Sequence, residues 1–193
     1  HQFDGMVLMP GCDKIVPGML MAAMRLNIPA LVVSAGPMLP GKYKGKTLTL
    51  TDMRELIGKT QTGKMSVEEL LEVEKCALPG VGTCSMLGTA NTMCCLAEVV
   101  GMTLPGVGLS HAVSSKKRRL AKESGRRIVE MVKENLTPRK IMTRGALLNG
   151  IAASMAMGAS TNSTLHIPAI AHEGGIDLSL KDFDVLSRQV PYL

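Results

Sequence analysis

The sequence predicts an α/β fold, mostly helical, organised on a short parallel sheet. Two apolar runs, Gly5-Met-Val-Leu-Met-Pro10 and Pro29-Ala-Leu-Val-Val-Ser34, have the continuous pattern of buried strands. Between them a helix is expected to start near Pro17, a residue suited to a first helical turn, and to run to about Leu26. Strand, loop, helix and strand in this order form a βαβ unit, whose two strands must be parallel. From Ser115 onward the pattern is helical almost throughout.

The other elements follow in order. Gly11-Cys-Asp-Lys14 is the loop leaving the first strand, and residues 36 to 50 read as a Pro/Gly/Lys loop. Ser66 with Glu69 suggests a capping box opening a helix through about Ala77. Leu78-Pro-Gly-Val-Gly-Thr-Cys-Ser85 is a second glycine-rich loop, followed by an apolar helix ending at Gly101. Thr137-Pro138 and Ser179 read as helix starts, and Gly158-Ala-Ser-Thr-Asn162 interrupts two apolar helices. There is no internal repeat. Two strands do not make an independent sheet, so its other strands are expected outside this chain. The start, His1-Gln-Phe-Asp-Gly-Met, has no initiator Met and no charged leader, and reads as a cut within a longer protein.

The 193 residues suit one domain. Apolar residues make up 46% but aromatics only 2%, so Met, Leu, Val, Ile and Ala must build the core. Fifteen methionines suit irregular helix packing. The net charge of +6 is concentrated at Lys116-Lys117-Arg118-Arg119, Arg126 and Arg127. Phe3, Tyr43, Phe183 and Tyr192 are too scattered to stack bases, so this stretch reads as a solvated helix face, or one covered by a missing segment. Nucleic acid is not an expected partner. No apolar run is long enough to span a bilayer, and membranes are excluded likewise. An odd number of cysteines, five, in apolar helical contexts favours a reducing, cytoplasmic compartment.

Two glycine motifs are decoys. Gly80-Val-Gly82 and Gly106-Val-Gly108 lack the third glycine of a dinucleotide fingerprint, because Ser85 and His111 occupy its place. Gly45-Lys46-Thr47 resembles the end of a phosphate-binding loop, but Pro40 stands where the first glycine belongs. Gly11-Cys12-Asp13-Lys14 is different: it lies at the carboxyl end of a parallel strand, where α/β proteins place ligands. Its thiolate suits iron or zinc and its carboxylate suits magnesium or manganese, although such a triplet alone also fits a structural loop. Cys84 sits in a Gly-rich loop before a helix, a setting that favours thiolate. Cys76, Cys94 and Cys95 read as buried, inert thiols, and His111 and His166 as structural. His172-Glu173 lacks a second His at metal-ligand spacing. Ser160-Thr161-Asn162 either caps the next helix or offers hydroxyls and an amide to a bound anion.

Three segments together resemble one family. Cys12-Asp-Lys-Ile-Val-Pro-Gly-Met-Leu-Met-Ala22, Gly82-Thr-Cys-Ser-Met-Leu-Gly-Thr-Ala-Asn-Thr-Met93 and Gly158-Ala-Ser-Thr-Asn-Ser-Thr-Leu-His166 are similar, in order, to motifs of the dihydroxy-acid and 6-phosphogluconate dehydratases. Ala159 replaces the second glycine of the third motif.

The resemblance implies a parallel-sheet, three-layer N-terminal domain, of which residues 1–193 are a part, with the C-terminal domain absent. It implies an iron–sulfur cluster, [2Fe–2S] or [4Fe–4S], on three cysteines; Cys12 and Cys84 match two, and the third is expected upstream. It implies Mg2+ held by carboxylates and a carbamylated lysine, matched in part by Asp13 and Lys14. Ser160, Thr161 and Asn162 are then substrate-binding candidates. The family's base, a serine of the C-terminal domain, has no match, so no catalytic residue is assigned here. The implied reaction removes water from a small 2,3-dihydroxy acid to give a 2-keto acid, with iron and magnesium as Lewis acids.

Gly88-Thr-Ala-Asn-Thr-Met93 looks closer to the branched-chain amino-acid enzymes than to the sugar-acid ones. The resemblance also implies a homodimer or higher homo-oligomer for the full-length protein, and an inactive fragment. A sugar-acid dehydratase, and a non-enzymatic α/β binding domain with a loop zinc, remain the alternatives.

Overall fold

A computed structural model describes residues 2–193, so the reading of the start at His1 lies outside the described residues. Strand β1 (Met6–Leu8), helix α1 (Ile15–Leu26) and strand β2 (Ala30–Val32) form the expected βαβ unit. The strands are parallel, with Met6 opposite Ala30, Val7 opposite Leu31 and Leu8 opposite Val32. Helix α1 begins at Ile15 rather than near Pro17, which is buried within its first turn. The far edge of β2 is closed by an irregular segment: Val32 N donates to Met102 O (2.7 Å) and Thr103 Oγ1 donates to Val32 O (2.5 Å).

Residues 36 to 50 are not the loop expected from sequence. They contain a β-hairpin, β3 (Gly41–Tyr43) paired antiparallel with β4 (Lys46–Leu48). Lys44 and Gly45 make its turn with φ of 47° and 77°, the left-handed pair that two-residue hairpins require. The Gly-Lys-Thr decoy is thus hairpin backbone. A Cβ at Gly41 would overlap the carbonyl oxygen of Cys76, so only glycine lets β3 lie this close to the following helix pair.

Helix α2 (Leu50–Gln61) was also missed. Its start is a capping box in which Asp52 Oδ2 accepts from both Thr49 N and Thr49 Oγ1 at 2.6 Å. Helix α3 (Val67–Ala77) starts at the expected Ser66, whose Oγ accepts from Glu69 N at 3.1 Å, but the expected capping box is not completed. The Glu69 carboxylate is engaged elsewhere, with Lys44 Nζ at 3.0 Å.

The rest is helical, as the sequence indicates: α4 (Thr89–Val99), α5 (Ser115–Lys133), α6 (Pro138–Ile141), α7 (Arg144–Ala156), α8 (Ser163–Glu173) and α9 (Leu180–Gln189). Helix α5 packs against β1 and β2. In the main core Ala30 and Val32 meet Val16 and Leu20 of α1, Met93 and Leu96 of α4, Ile151 of α7 and Ile167 of α8. The small parallel sheet therefore lies between α5 and this helical layer. Each of these side chains except that of Ala30, removed from water, contributes about 1.5–3 kcal/mol. Met24, Met93, Met102, Met131 and Met142 are fully buried, which bears out the methionine-built core.

The basic stretch on α5 is exposed except at Arg127, which is half-buried, and at Lys117. Lys117 is buried, and its Nζ donates to Ser34 O (2.9 Å) and to Val107 O. It ties α5 to the chain leaving β2, and burial lowers its pKa from the ordinary lysine value. Among the described residues no helix is long and apolar enough to cross a membrane.

Candidate functional site

The loop 11–14 leaves the carboxyl end of β1 and turns directly into α1, with Val16 N donating to Cys12 O at 3.2 Å. The second motif loop is drawn to the same end of the sheet by a parallel bridge between Pro37 and Thr83. Thr83 N donates to Gly36 O (2.8 Å) and Met38 N to Thr83 O (2.9 Å). Cys84 follows at once, so the chain leaving β2 positions it.

Asn91, in the first turn of α4, holds the Cys84 loop in shape. Its Nδ2 donates to Cys84 O and Met86 O, both at 2.6 Å, and its Oδ1 accepts from Thr83 Oγ1 at 2.5 Å. The same helix end holds the third motif. Thr89 Oγ1 lies 2.8 Å from Ser160 Oγ and accepts from Asn162 Nδ2 at 2.8 Å, while Ser160 N donates to Thr92 Oγ1 at 3.1 Å. Asn162 makes no side-chain cap for α8; its amide is spent on Thr89 and Ser160.

These three segments, far apart in sequence, line one cleft of about 580 Å³. Its walls are Cys12, Asp13, Cys84, Gly88, Thr89, Ala90, Ser160, Thr161 and Asn162, with Met86 and Leu87, and with Leu50 and Arg54 from α2. A second hollow of about 400 Å³, mostly apolar, lies against Pro37, Met38, Leu109 and His111 and contains neither Cys12 nor Asp13.

Cys12 is exposed and Cys84 half-buried, and neither is in a disulfide. Both line the cleft with no third cysteine: among the described residues no group of three or more His, Cys, Asp and Glu is placed to hold a metal. The donor chemistry nevertheless fits the expected groups. Two reachable sulfurs suit iron, and an adjacent carboxylate suits magnesium. Lys14 Nζ is 3.9 Å from Asp13, 3.4 Å from His166 Nε2 and 3.5 Å from Asn162 Oδ1. The amine is mostly exposed, engaged only by long contacts, and open to modification.

His166, expected to be structural, is buried and touches Lys14. Its pKa is lowered, chiefly by burial and then by the Lys14 charge. It stands one helical turn past Asn162, with His166 N donating to Asn162 O at 3.0 Å. Arg54 was missed with its helix. His172-Glu173 is resolved as an ion-pair corner, Glu173 taking a two-pronged contact from Arg25 at 2.5 and 2.8 Å.

The other cysteines behave differently. Cys94 and Cys95 are buried as expected, whereas Cys76 is half-buried. Desolvation pushes the Cys95 thiol up to about 11 and raises that of Cys94. A thiol with that pKa is thiolate in roughly one part per thousand at pH 8. Iodoacetamide at that pH is therefore expected to label Cys12 in the metal-free protein while sparing Cys94 and Cys95 until denaturant is added. Peptide mass spectrometry reads this directly, and early labelling of Cys95 would contradict the packing of α4.

Comparison with known proteins agrees with the cleft. The family described as dihydroxy-acid/6-phosphogluconate dehydratase N-terminal matches residues 1–193. The chain is 53% identical over its whole length to a dihydroxy-acid dehydratase of Methanosphaera stadtmanae. It is 56% identical to those of Halothermothrix orenii and Methanothermobacter thermautotrophicus, again over its whole length. It spans 35% of the length of each of these relatives. With three motifs converging on one cleft and a match along the entire chain, it belongs to the dihydroxy-acid/6-phosphogluconate dehydratase N-terminal family.

Proposed function

We propose that this chain supplies part of the active site of a hydro-lyase that converts a 2,3-dihydroxy carboxylic acid into a 2-keto acid. The observation that supports it is the single cleft shared by Cys12, Asp13, Cys84 and Ser160-Thr161-Asn162. Cys12 and Cys84 would hold iron of a [2Fe–2S] or [4Fe–4S] cluster, and Asp13 with a carbamylated Lys14 would hold Mg2+. When bound, these groups supply Lewis acidity toward the departing hydroxyl and the charge that builds beside the carboxylate.

The chain's own residues position the substrate. Thr89, Ser160 and Asn162 already satisfy one another, forming a preorganised wall of hydroxyls and amide. Thr161, exposed on the same wall, is free to meet a substrate hydroxyl. Leu50, Met86, Leu87 and Ala90 offer apolar surface for an alkyl tail. In the reaction a C2 proton and the C3 hydroxyl leave as water, and the enol becomes the ketone. The base that takes the C2 proton, the third cluster cysteine and further magnesium carboxylates are assigned to regions outside this chain. The apolar wall and the likeness of Gly88-Thr-Ala-Asn-Thr-Met93 to the branched-chain amino-acid enzymes support a branched-chain substrate, and the free cysteines suit a reducing cytoplasm where thiolates persist.

The test is turnover by the anaerobically prepared full-length protein. A branched 2,3-dihydroxy acid is expected to yield its 2-keto acid, with little reaction of 6-phosphogluconate. Turnover of gluconate-type acids alone would replace this substrate choice with the sugar-acid one.

A further inference from the structure

Arg54 stands on the wall of the cleft that contains Cys12, Asp13 and Cys84, and it is the one cationic side chain among the described residues lining it. Helix α2 holds it there, one turn past Leu50 on the same wall, with the Thr49–Asp52 capping box fixing the helix start. Most arginines of this chain are engaged: Arg25 with Glu173, Arg127 with Glu134, Arg144 with Asp182 and Arg188 with Asp184. Among the described residues Arg54 is exposed and has no hydrogen bond or ion pair.

The charge balance of the cleft gives this unpaired guanidinium a purpose. A dihydroxy acid arrives as an anion, and apart from the Mg2+ proposed for Asp13 and Lys14 the cleft wall offers it, among the described residues, one cationic side chain, Arg54. Thr89, Ser160, Thr161 and Asn162 offer only neutral donors and acceptors, and Lys14 is turned toward His166 and Asn162. A planar guanidinium fork matches a carboxylate in two parallel hydrogen bonds. We propose that Arg54 binds the substrate's carboxylate, an inference that rests on the dehydratase reading above and makes α2 a substrate-contacting element.

The experiment uses the full-length, cluster-loaded enzyme and its Arg54→Met and Arg54→Lys variants, assayed with a branched 2,3-dihydroxy acid. Losing a charge-assisted contact is expected to raise KM about 10- to 100-fold in Arg54→Met with kcat little changed, and Arg54→Lys is expected to recover part of it. Inhibition by the 2-keto acid product should weaken in parallel in Arg54→Met, whereas inhibition by the product's neutral amide should not. Iron content should match the parent enzyme in both variants. An unchanged KM in Arg54→Met, equal weakening of acid and amide, or loss of iron would each overturn the proposal. If the parent enzyme turns over the acid while Arg54→Met keeps its KM, only the role of Arg54 falls. A parent enzyme that turns over no hydroxy acid removes the dehydratase reading, and this proposal with it.

Discussion

Replacing Cys12 by alanine in the full-length protein is expected to remove the visible absorbance of the iron–sulfur cluster and reduce dehydration by at least about 100-fold, since losing even a residue that only orients a metal ligand reaches that size. The reasoning is local. Cys12 is exposed, at the mouth of the loop between β1 and α1, and lies outside the buried core. Truncating its side chain therefore removes a sulfur donor without opening a cavity, and the fold should persist. Cys95→Ala is the matched control: it removes a buried thiol from α4, lowers stability, and leaves the cluster spectrum unchanged. Ultraviolet–visible spectra and iron content of the two variants separate these outcomes. An unchanged spectrum in Cys12→Ala would end the assignment of this loop to iron.

A second large effect is expected at Asn91, which touches no substrate. Its side chain closes three hydrogen bonds, to Thr83 Oγ1, Cys84 O and Met86 O, within the first turn of α4. Asn91→Ala leaves these partners without their bonds in a largely dry setting, at about 1–3 kcal/mol for each group stranded. A total of about 2–5 kcal/mol follows for the variant, allowing for relaxation of the loop. In a large protein this lowers the melting temperature by about 5–15 °C. Because the Cys84 loop is what Asn91 shapes, iron loading should fall with it. Asn91→Asp, which keeps the shape but loses both donations, should share most of the defect. Full iron content and an unshifted melting curve in Asn91→Ala would show that the loop is held by something else.

The contrast between Cys12 and Asn91 also shows how much of the site could be read before the fold. The residue types at Cys12, Asp13, Cys84 and Asn162 suit metals or anions, but a structural loop or a helix cap fits them too, and only the resemblance of three motifs to one family singles them out. That the three motifs share a cleft could not be read from periodicity, since it depends on the Pro37–Thr83 bridge and on contacts from α4 across to Ser160 and Asn162. Asn91 looked like one polar residue in an apolar helix, and its role is visible only once the loop folds back over it.

The parallel βαβ unit was legible because a continuous apolar run, a Pro-led helix and a second run leave few alternatives. The hairpin β3–β4 was not, because its strands are only three residues each and carry lysines and glycine rather than β-branched pairs. Its one signal was Lys44-Gly45, a two-residue turn with glycine second. Helix α2 escaped for a related reason: it buries no residue fully, so its apolar stripe is weak, and its capping box uses Asp52 where glutamate is the commoner partner. With α2 went Arg54, the cation of the cleft. The basic stretch on α5 is an exposed face, as its composition indicates, apart from half-buried Arg127 and buried Lys117, whose burial depends on two carbonyls, Ser34 O and Val107 O, distant in sequence.

All of this rests on Cys12 and Cys84 being ligands of one cluster. Diffraction at the iron absorption edge, from crystals of the anaerobically reconstituted full-length protein, tests that most directly. Iron within bonding distance of both Sγ atoms, at the mouth of the cleft lined by Ser160, Thr161 and Asn162, is the expected result. A loaded protein whose iron lies away from either sulfur would contradict it.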